Sequence, residues 1–125
     1  MYLHSRATDA DFLNIIRENR QRFSTGVVHS FTGSPEEAKE ICDLDLYIGI
    51  NGCSMKTLEN CEVVKSIPLD RLMIETDCPY CDIRNSHASA QYVKTRFPRK
   101  PKGKYDPSKE DFMVVRDRNE PVNIV

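Results

Sequence analysis

Residues 1–77 alternate between short apolar segments and segments with helical periodicity. In chain order these are strand 2–4, helix 12–23, strand 27–29, a helix from residue 34, strand 46–50, helix 57–65 and strand 72–74. Strands that alternate with helices of this length join through right-handed crossovers into a parallel sheet. The order therefore predicts an α/β protein whose strands all point the same way.

Local signals refine this interpretation. The sequence SPEE at 34–37 is typical of a helix start, because serine caps, proline suits the first helical position and the last glutamate completes a capping box. Thr8, with Asp11 three residues later, predicts a weaker box for the first helix. Gly49 and Gly52 are interpreted as turn glycines at the end of the third strand.

The composition changes after Asp77. Residues 84–118 hold ten basic and four acidic side chains, a net charge of +6, whereas the remainder carries −7. Five of the seven prolines lie beyond residue 78, and no clear periodicity continues there, which is typical of a long functional or disordered loop. We interpret 1–125 as one domain with βα units over 1–77, a basic Pro-rich loop region over 78–118 and the start of a truncated helix over 119–125.

Size and charge exclude several classes of protein. A chain of 125 residues has room for one domain, and a formal charge of −1 does not suit a protein that coats nucleic acid with its whole surface. Apolar runs of about five residues are far below the roughly 20 that span a bilayer, so we expect no membrane partner. The odd count of five cysteines and the lack of an apolar leader predict a cytoplasmic or nuclear location.

Polar residues follow the predicted strands at their carboxyl ends. His4 closes the first strand, His29 the second and Asn51 the third, and Asp77 comes shortly after the fourth. Because the carboxyl ends of parallel strands share one face, two imidazoles and a carboxylate can converge in a single cleft. These are the donors that zinc and other divalent metals take from proteins.

The motifs that carry these residues resemble one family. LHSRAT at 3–8, VVHSFTGSPEEA at 27–38, YIGING at 47–52, IETDCPY at 74–80 and RNEP at 118–121 are similar to the TatD-type metal-dependent deoxyribonucleases. The resemblance implies an amidohydrolase-like TIM barrel that hydrolyses DNA phosphodiester bonds with divalent metals. A TIM barrel needs about 250 residues, so it implies a partial barrel that matches roughly the C-terminal half.

The resemblance also implies roles for single residues. His4 and His29 correspond to ligands of one metal, and Asp77 to a ligand of the other that also orients or deprotonates the attacking water. The metals would be Mg, Mn or Zn. Arg6 would meet substrate phosphate, and Glu75 would support the ligands.

The basic segment 94–104 lies just beyond the predicted Asp77 strand end. Its cations suit the backbone of DNA, the expected partner, and they are Lys94, Arg96, Arg99, Lys100, Lys102 and Lys104. We predict substrate contacts from the first four, and a polyanion bound there should dissociate steeply with salt.

Two other functions stay open. The family's His-x-His pair and bridging glutamate have no counterpart here, so the second hypothesis is a catalytically inactive fragment that binds nucleic acid or a partner. Exposed half-barrel edges also predict self-association. The third hypothesis is a dithiol oxidoreductase that uses Cys78 and Cys81, whose CPYC motif is similar to that of glutaredoxins.

Overall fold

The four predicted strands form one parallel sheet in the order of the chain. The computed structural model describes residues 1–6, 8–109 and 113–125. The strands are β1 (Tyr2–His4), β2 (Val27–His29), β3 (Tyr47–Ile50) and β4 (Leu72–Ile74). Three helices connect them: α1 (Asp9–Asn19), α2 (Pro35–Asp43) and α3 (Leu58–Ser66). The predicted α/β alternation is confirmed.

The core lies between the sheet and the helices. Leu3, Val28, Ile48 and Leu72 are register partners on one face of the sheet, and they pack in one cluster with residues of all three helices. Val28 and Ile48 are fully buried, and removing such a side chain from water stabilises the fold by roughly 1.5–3 kcal/mol. The hydrophobic effect therefore fixes which face of each strand meets the helices.

The opposite face of the sheet is more exposed. Tyr2 and Met73 lie on that face, with 77% and 46% of their surface accessible. His4, two residues along β1 from Tyr2, and its register partner His29 share this face. The alternation of side chains along a strand thus separates an apolar face from one that carries the imidazoles.

Helix capping follows the sequence at α2 but not at α1. The Ser34 hydroxyl accepts the Glu37 N–H at 3.2 Å, and the Glu37 carboxylate accepts the Ser34 N–H at 2.7 Å, which confirms the predicted box. The box predicted at Thr8 is wrong, since the Thr8 side chain makes no capping bond. Its hydroxyl lies 2.8 Å from the Ser5 hydroxyl, so a neighbouring side chain takes the group that would have capped α1.

Residues 78–125 are mostly irregular, with short elements that the sequence did not predict. Strands β5 (Arg99–Lys100) and β6 (Val114–Val115) pair in parallel, and single 3-10 turns cover Ala88–Tyr92 and Lys102–Lys104. The expected helix start near the end is a 3-10 turn, Pro121–Ile124. Within the described ranges, no helix has both the length and the apolar character needed to cross a bilayer. The division at 77 and 118 stays a prediction.

Candidate functional site

The two strand-end histidines lie side by side. His4 and His29 are register partners in β1 and β2. Their ring centroids are 5.1 Å apart and the ring planes meet at 36°. His4 is exposed and His29 half-buried, so both rings are open to a ligand from the same side of the sheet. The parallel register alone creates this pair, because residues at equal height on neighbouring strands point to the same face.

Glu75 contacts the ring of His29, the more buried histidine of the pair. One carboxylate oxygen, Oε1, lies 3.1 Å from His29 Nδ1 and the other, Oε2, lies 3.3 Å from it. Oε1 also accepts the Ser30 N–H at 2.6 Å and the Asn51 side-chain amide at 3.1 Å. The expectation that Glu75 supports a ligand therefore has a direct contact behind it. A carboxylate in this position fixes the orientation of an imidazole.

Gly49 makes this contact possible, and its interpretation as a turn glycine is wrong. It lies inside β3, between β2, which carries His29, and β4, which Glu75 directly follows. A Cβ at this position would come within 3.2 Å of Glu75 Oε2 and 3.4 Å of the His29 Cα. Because glycine leaves that space open, the carboxylate reaches across a whole strand to the imidazole.

Asp77 lies on the loop after β4, close to the same site. It lines a cavity of about 540 Å³ together with Tyr2, His29, Glu75 and Thr76. Its φ angle is 52°, a left-handed conformation that non-glycine residues seldom adopt. The conformation of the loop, rather than a strand register, therefore sets the position of the Asp77 carboxylate.

Asn119 anchors that loop although it lies 43 residues after Thr76 in the chain. The side chain is 4% exposed, and its amide donates to the Thr76 carbonyl at 2.6 Å. Its backbone N–H donates to the Pro79 carbonyl at 3.0 Å. These two bonds bracket Asp77, so the segment that contains RNEP is a structural clamp on the candidate carboxylate.

The environment of the cysteine pair does not resemble a reactive dithiol. Burial, with the neighbouring Cys53 thiol and the Asp77 carboxylate, raises the pKa of Cys81 to about 12. The Cys81 thiol donates to Asp77 Oδ2 at 3.4 Å. Residues 78–87 form turns and extended chain rather than a helix start, so Cys78 lacks the amide groups that stabilise a thiolate.

The donor types at the site suit a divalent metal, but their number is small. His4 and His29 offer two imidazoles, and Asp77 offers a carboxylate in the cavity that His29 also lines. Among residues 1–6, 8–109 and 113–125, no three His, Cys, Asp or Glu side chains converge closely enough to hold an ion. The described part of the chain therefore supplies a pair of ligands and a neighbouring carboxylate rather than a complete cage.

The predicted phosphate-binding residues occupy different environments. Arg6 is exposed at the carboxyl end of β1. Lys94 and Arg96 are exposed and line a second cavity, of about 480 Å³, beside β4. Arg96 also donates to Asn85 and to the Ala90 carbonyl, each at 3.2 Å. These positions let the three cations face solvent near the strand ends.

The remaining two predicted cations are involved in internal contacts. Arg99 makes a two-pronged ion pair with Asp82, in which Nη2 and Oδ1 are 3.0 Å apart. Lys100 is half-buried in β5, where its carbonyl accepts the Arg116 N–H at 2.7 Å. The geometry gives Arg99 a role in holding the loop, and leaves its predicted contact with substrate untested.

Two residues of the site were not given a role from the sequence. Asn51 is 2% exposed and links Ser30 to Glu75 through its side-chain amide. Its position at the carboxyl end of a strand was a usable signal. We expected no role for it, because side-chain amides seldom bind metals. Asn119 lies in the RNEP motif, but the motif did not indicate its contacts, because its partners are distant in the chain.

Comparisons with known proteins identify relatives of this chain. A family profile described as TatD related DNase matches residues 1–109. Deoxyribonuclease Tat-D of Schizosaccharomyces pombe is 46% identical over 128 residues, which covers 98% of this chain and 39% of the relative. An uncharacterized metal-dependent hydrolase of Bacillus subtilis is 37% identical over 99 residues, covering 74% and 38% of the two chains.

A solved structure shares the fold. The hydrolase TatD family protein from Entamoeba histolytica superposes with a TM-score of 0.88 and 37% identity, covering 99% of this chain and 40% of that one. The predicted partial barrel is confirmed by this likeness. The chain spans less than half the length of the relatives named here.

Proposed function

This chain belongs to the TatD-related DNase family, and we propose from that premise that it forms part of a metal-dependent hydrolase that cleaves phosphodiester bonds of DNA. The register pairing of His4 with His29 carries the proposal, since it sets two imidazoles side by side at the carboxyl ends of neighbouring strands. Active sites of parallel α/β barrels lie at these ends.

The residues take the following roles. His4 and His29 would hold one divalent metal, and Asp77 would bind a second and would orient or deprotonate the attacking water. Bound divalent metals supply an activated water and neutralise the charge of the attacking and leaving oxygens. Glu75 keeps the His29 ring in place through its Nδ1 contact. The relative named a metal-dependent hydrolase supports the use of a metal, and we propose Mg, Mn or Zn.

DNA is the proposed substrate and the basic region its electrostatic guide. Residues 84–118 carry a net charge of +6 beside a remainder of −7. Arg6, Lys94 and Arg96 are exposed near the strand ends, where they would contact phosphates. Neutralising phosphates releases counterions, so the affinity for single-stranded DNA should fall steeply as salt rises. Flat salt dependence would contradict this role.

Location and assembly complete the proposal. All five cysteines are unpaired thiols, which suits a reducing compartment such as the cytoplasm or nucleus. Tyr2 and Met73 are accessible on the sheet face, and the outer edges of β1 and β4 pair with no other strand among the described residues, which favours association with a second polypeptide. We propose self-association through these edges, which light scattering at several protein concentrations would detect.

A nuclease assay on single-stranded DNA with added Mg²⁺ or Mn²⁺ tests the proposed activity. We expect metal-dependent cleavage that disappears in His29→Ala and in Asp77→Asn. His87→Ala and Asp70→Asn are matched controls that change the same residue types outside the site and should keep the activity. Cleavage that survives both site variants would contradict the assignment.

A second candidate is a non-catalytic nucleic-acid-binding chain. The observation that favours it is the lack of a three-donor group among the described residues. This function predicts DNA binding without cleavage at any metal concentration, and binding that is unaffected by His29→Ala. Measurements of DNA cleavage and of DNA binding, each on the wild-type protein and on His29→Ala, therefore separate the two candidate functions.

A further inference from the structure

We propose that the second cavity, beside β4, binds an unpaired nucleobase of single-stranded DNA, while the phosphate next to that base contacts Lys94 and Arg96. The inference rests on the proposed function for its substrate, and it adds a binding site outside the three proposed metal ligands. It makes the affinity for a strand depend on bases as well as on phosphates.

The second cavity adjoins the candidate site. Glu75, Thr76 and Ile124 line both this cavity and the one that contains His29 and Asp77. A strand with a phosphate at the carboxyl ends of β2 and β4 can therefore place a neighbouring base in the second cavity. The volume of about 480 Å³ falls within the roughly 300–1,000 Å³ usual for pockets that bind small organic groups.

The lining of the second cavity suits the flat face of a base. Ile74, Ile83 and Val93 supply aliphatic surface, and Tyr92 and Phe97 supply two aromatic rings. Ile74 and Tyr92 leave 65% and 62% of their surface accessible, so apolar area remains for a ligand to cover. Every base has an aromatic face, and proteins that bind single strands stack bases on side chains of this kind.

A buried hydroxyl in the wall of the cavity lacks a partner. Ser89 lines the cavity and is 4% exposed, and its Oγ makes no hydrogen bond within the part of the chain that the structure describes. Buried polar groups are nearly always paired, so this exception indicates a missing partner. The ring nitrogens, carbonyl oxygens and amino groups on the edge of a base can pair with a hydroxyl, whereas an aliphatic side chain cannot.

The charges of the lining favour an anionic strand at the rim. Lys94 and Arg96 line the cavity and are exposed. A third cation of the lining, Arg99, pairs with Asp82, so its charge is compensated within the wall. Glu75, the other lining acid, accepts two N–H groups at Oε1. Lys94 and Arg96 are therefore the lining cations that suit a phosphate.

The wall is held in place by bonds that do not fill the cavity. The Ala88 N–H donates to the Lys56 carbonyl at 2.9 Å, which fixes the start of the turn that carries Ser89. Arg96 braces the same wall through its two bonds to Asn85 and the Ala90 carbonyl. A guanidinium has five N–H donors, so these two bonds do not exhaust it. A site that is formed in advance loses less entropy when a ligand binds.

The experiment compares a short oligothymidylate with an abasic strand of the same length, by fluorescence anisotropy in excess EDTA so that no cleavage occurs. We expect the abasic strand to bind about 5–150-fold more weakly, the contribution of one stacked base. Tyr92→Ala and Phe97→Ala should remove most of this difference by weakening the thymidylate alone. Lys94→Ala should weaken both strands alike. Tyr105→Ala, an exposed aromatic change in the same basic region but outside the lining, is the matched control.

Ser89→Ala tests the unpaired hydroxyl. The substitution removes a group with no partner in the described chain, so the urea midpoint should stay the same or rise. Thymidylate binding should weaken by about 2–10-fold, while binding of the abasic strand should not change. A lower urea midpoint with unchanged binding of both strands would overturn this role of Ser89.

The comparison of the two strands on the wild-type protein needs no variant, so poor folding of a variant would not remove the test. Equal affinity for the two strands, or no binding of either, would overturn the inference. Equal affinity is also the result expected if the cavity covers an apolar segment of another polypeptide. A thymidylate preference that survives both Tyr92→Ala and Phe97→Ala would overturn the assignment to this cavity.

The outcome is distinguishable from the fate of the proposed function. Base-dependent binding by a chain that cleaves no DNA would support the base site, while showing that the hydrolytic part of the proposed function is wrong. Metal-dependent cleavage by a chain that binds both strands equally would leave the proposed function in place and overturn the base site.

Discussion

The proposed ligands come from two regions that hold their side chains by different means. His29 lies in a strand, and the ladder with β1 sets its place beside His4. Asp77 lies in a loop with a left-handed backbone, where Cys81 contacts it from the same loop and Asn119 anchors the loop from a distant part of the chain. A strand position depends on the buried core, whereas a loop position depends on a few specific bonds. We therefore expect that a substitution can displace one of the two donors and leave the other in place.

Ile48→Ala should give the largest effect, and it should act on the strand region. The side chain is fully buried between the sheet and the helices, so we expect the free energy of unfolding to fall by about 2–5 kcal/mol. Urea unfolding measured by circular dichroism checks the value. Leu69→Ala is a control, because that side chain is 87% exposed and its loss should cost little.

Gly52→Ala should break the contact between the regions. A Cβ at Gly52 would lie 2.1 Å from the Cys81 carbonyl oxygen, which is backbone and must move. We expect a loss of about 1–3 kcal/mol in unfolding free energy, with faster amide exchange near Asp77. Gly103→Ala, where a Cβ meets nothing within 4 Å, should leave both quantities unchanged. Equal effects of the two changes would contradict the close approach.

Asn119→Ala should affect the loop region alone. It removes the donor to the Thr76 carbonyl, and a hydrogen bond of this kind contributes about 0.5–1.5 kcal/mol to stability. Hydrogen exchange should increase around Asp77 while the amides of β1 and β2 keep their protection. Asn123→Ala, which loses one bond to Asn119 but leaves the Thr76 contact, is the matched control. Loss of protection in the strands would show that the regions are not separable.

The smallest expected effect concerns the chemistry of the loop cysteines. Burial raises the pKa of Cys81 to about 12, above its ordinary value of 9.0, so at pH 8 this thiol is almost entirely protonated. Cys78 is exposed. Iodoacetamide at pH 8 should label Cys78 well before Cys81, and the difference should narrow as the pH rises toward 12. Peptide mass mapping checks this order, and faster labelling of Cys81 would contradict it.

The strand region was readily predicted from the sequence, for local reasons. Apolar runs such as 27–29 and the SPEE cap at 34–37 act over a few residues, so their pattern alone indicates an element and its boundary. Thr8 is an exception to these local signals, because its hydroxyl contacts the Ser5 hydroxyl and does not cap α1. The short pair β5–β6 gave no signal, because two-residue strands carry no periodicity.

The order of the sequence by itself determined the parallel sheet and the identity of the polar residues at its strand ends, because periodicity is a local property of the chain and helical crossovers set the direction of the strands. Tertiary structure decided how these residues are held. Glu75 reaches His29 only because Gly49, which has no side chain, leaves space between them. The loop that carries Asp77 is held by an asparagine far away in the chain. Both depend on distances between segments that no window of sequence contains.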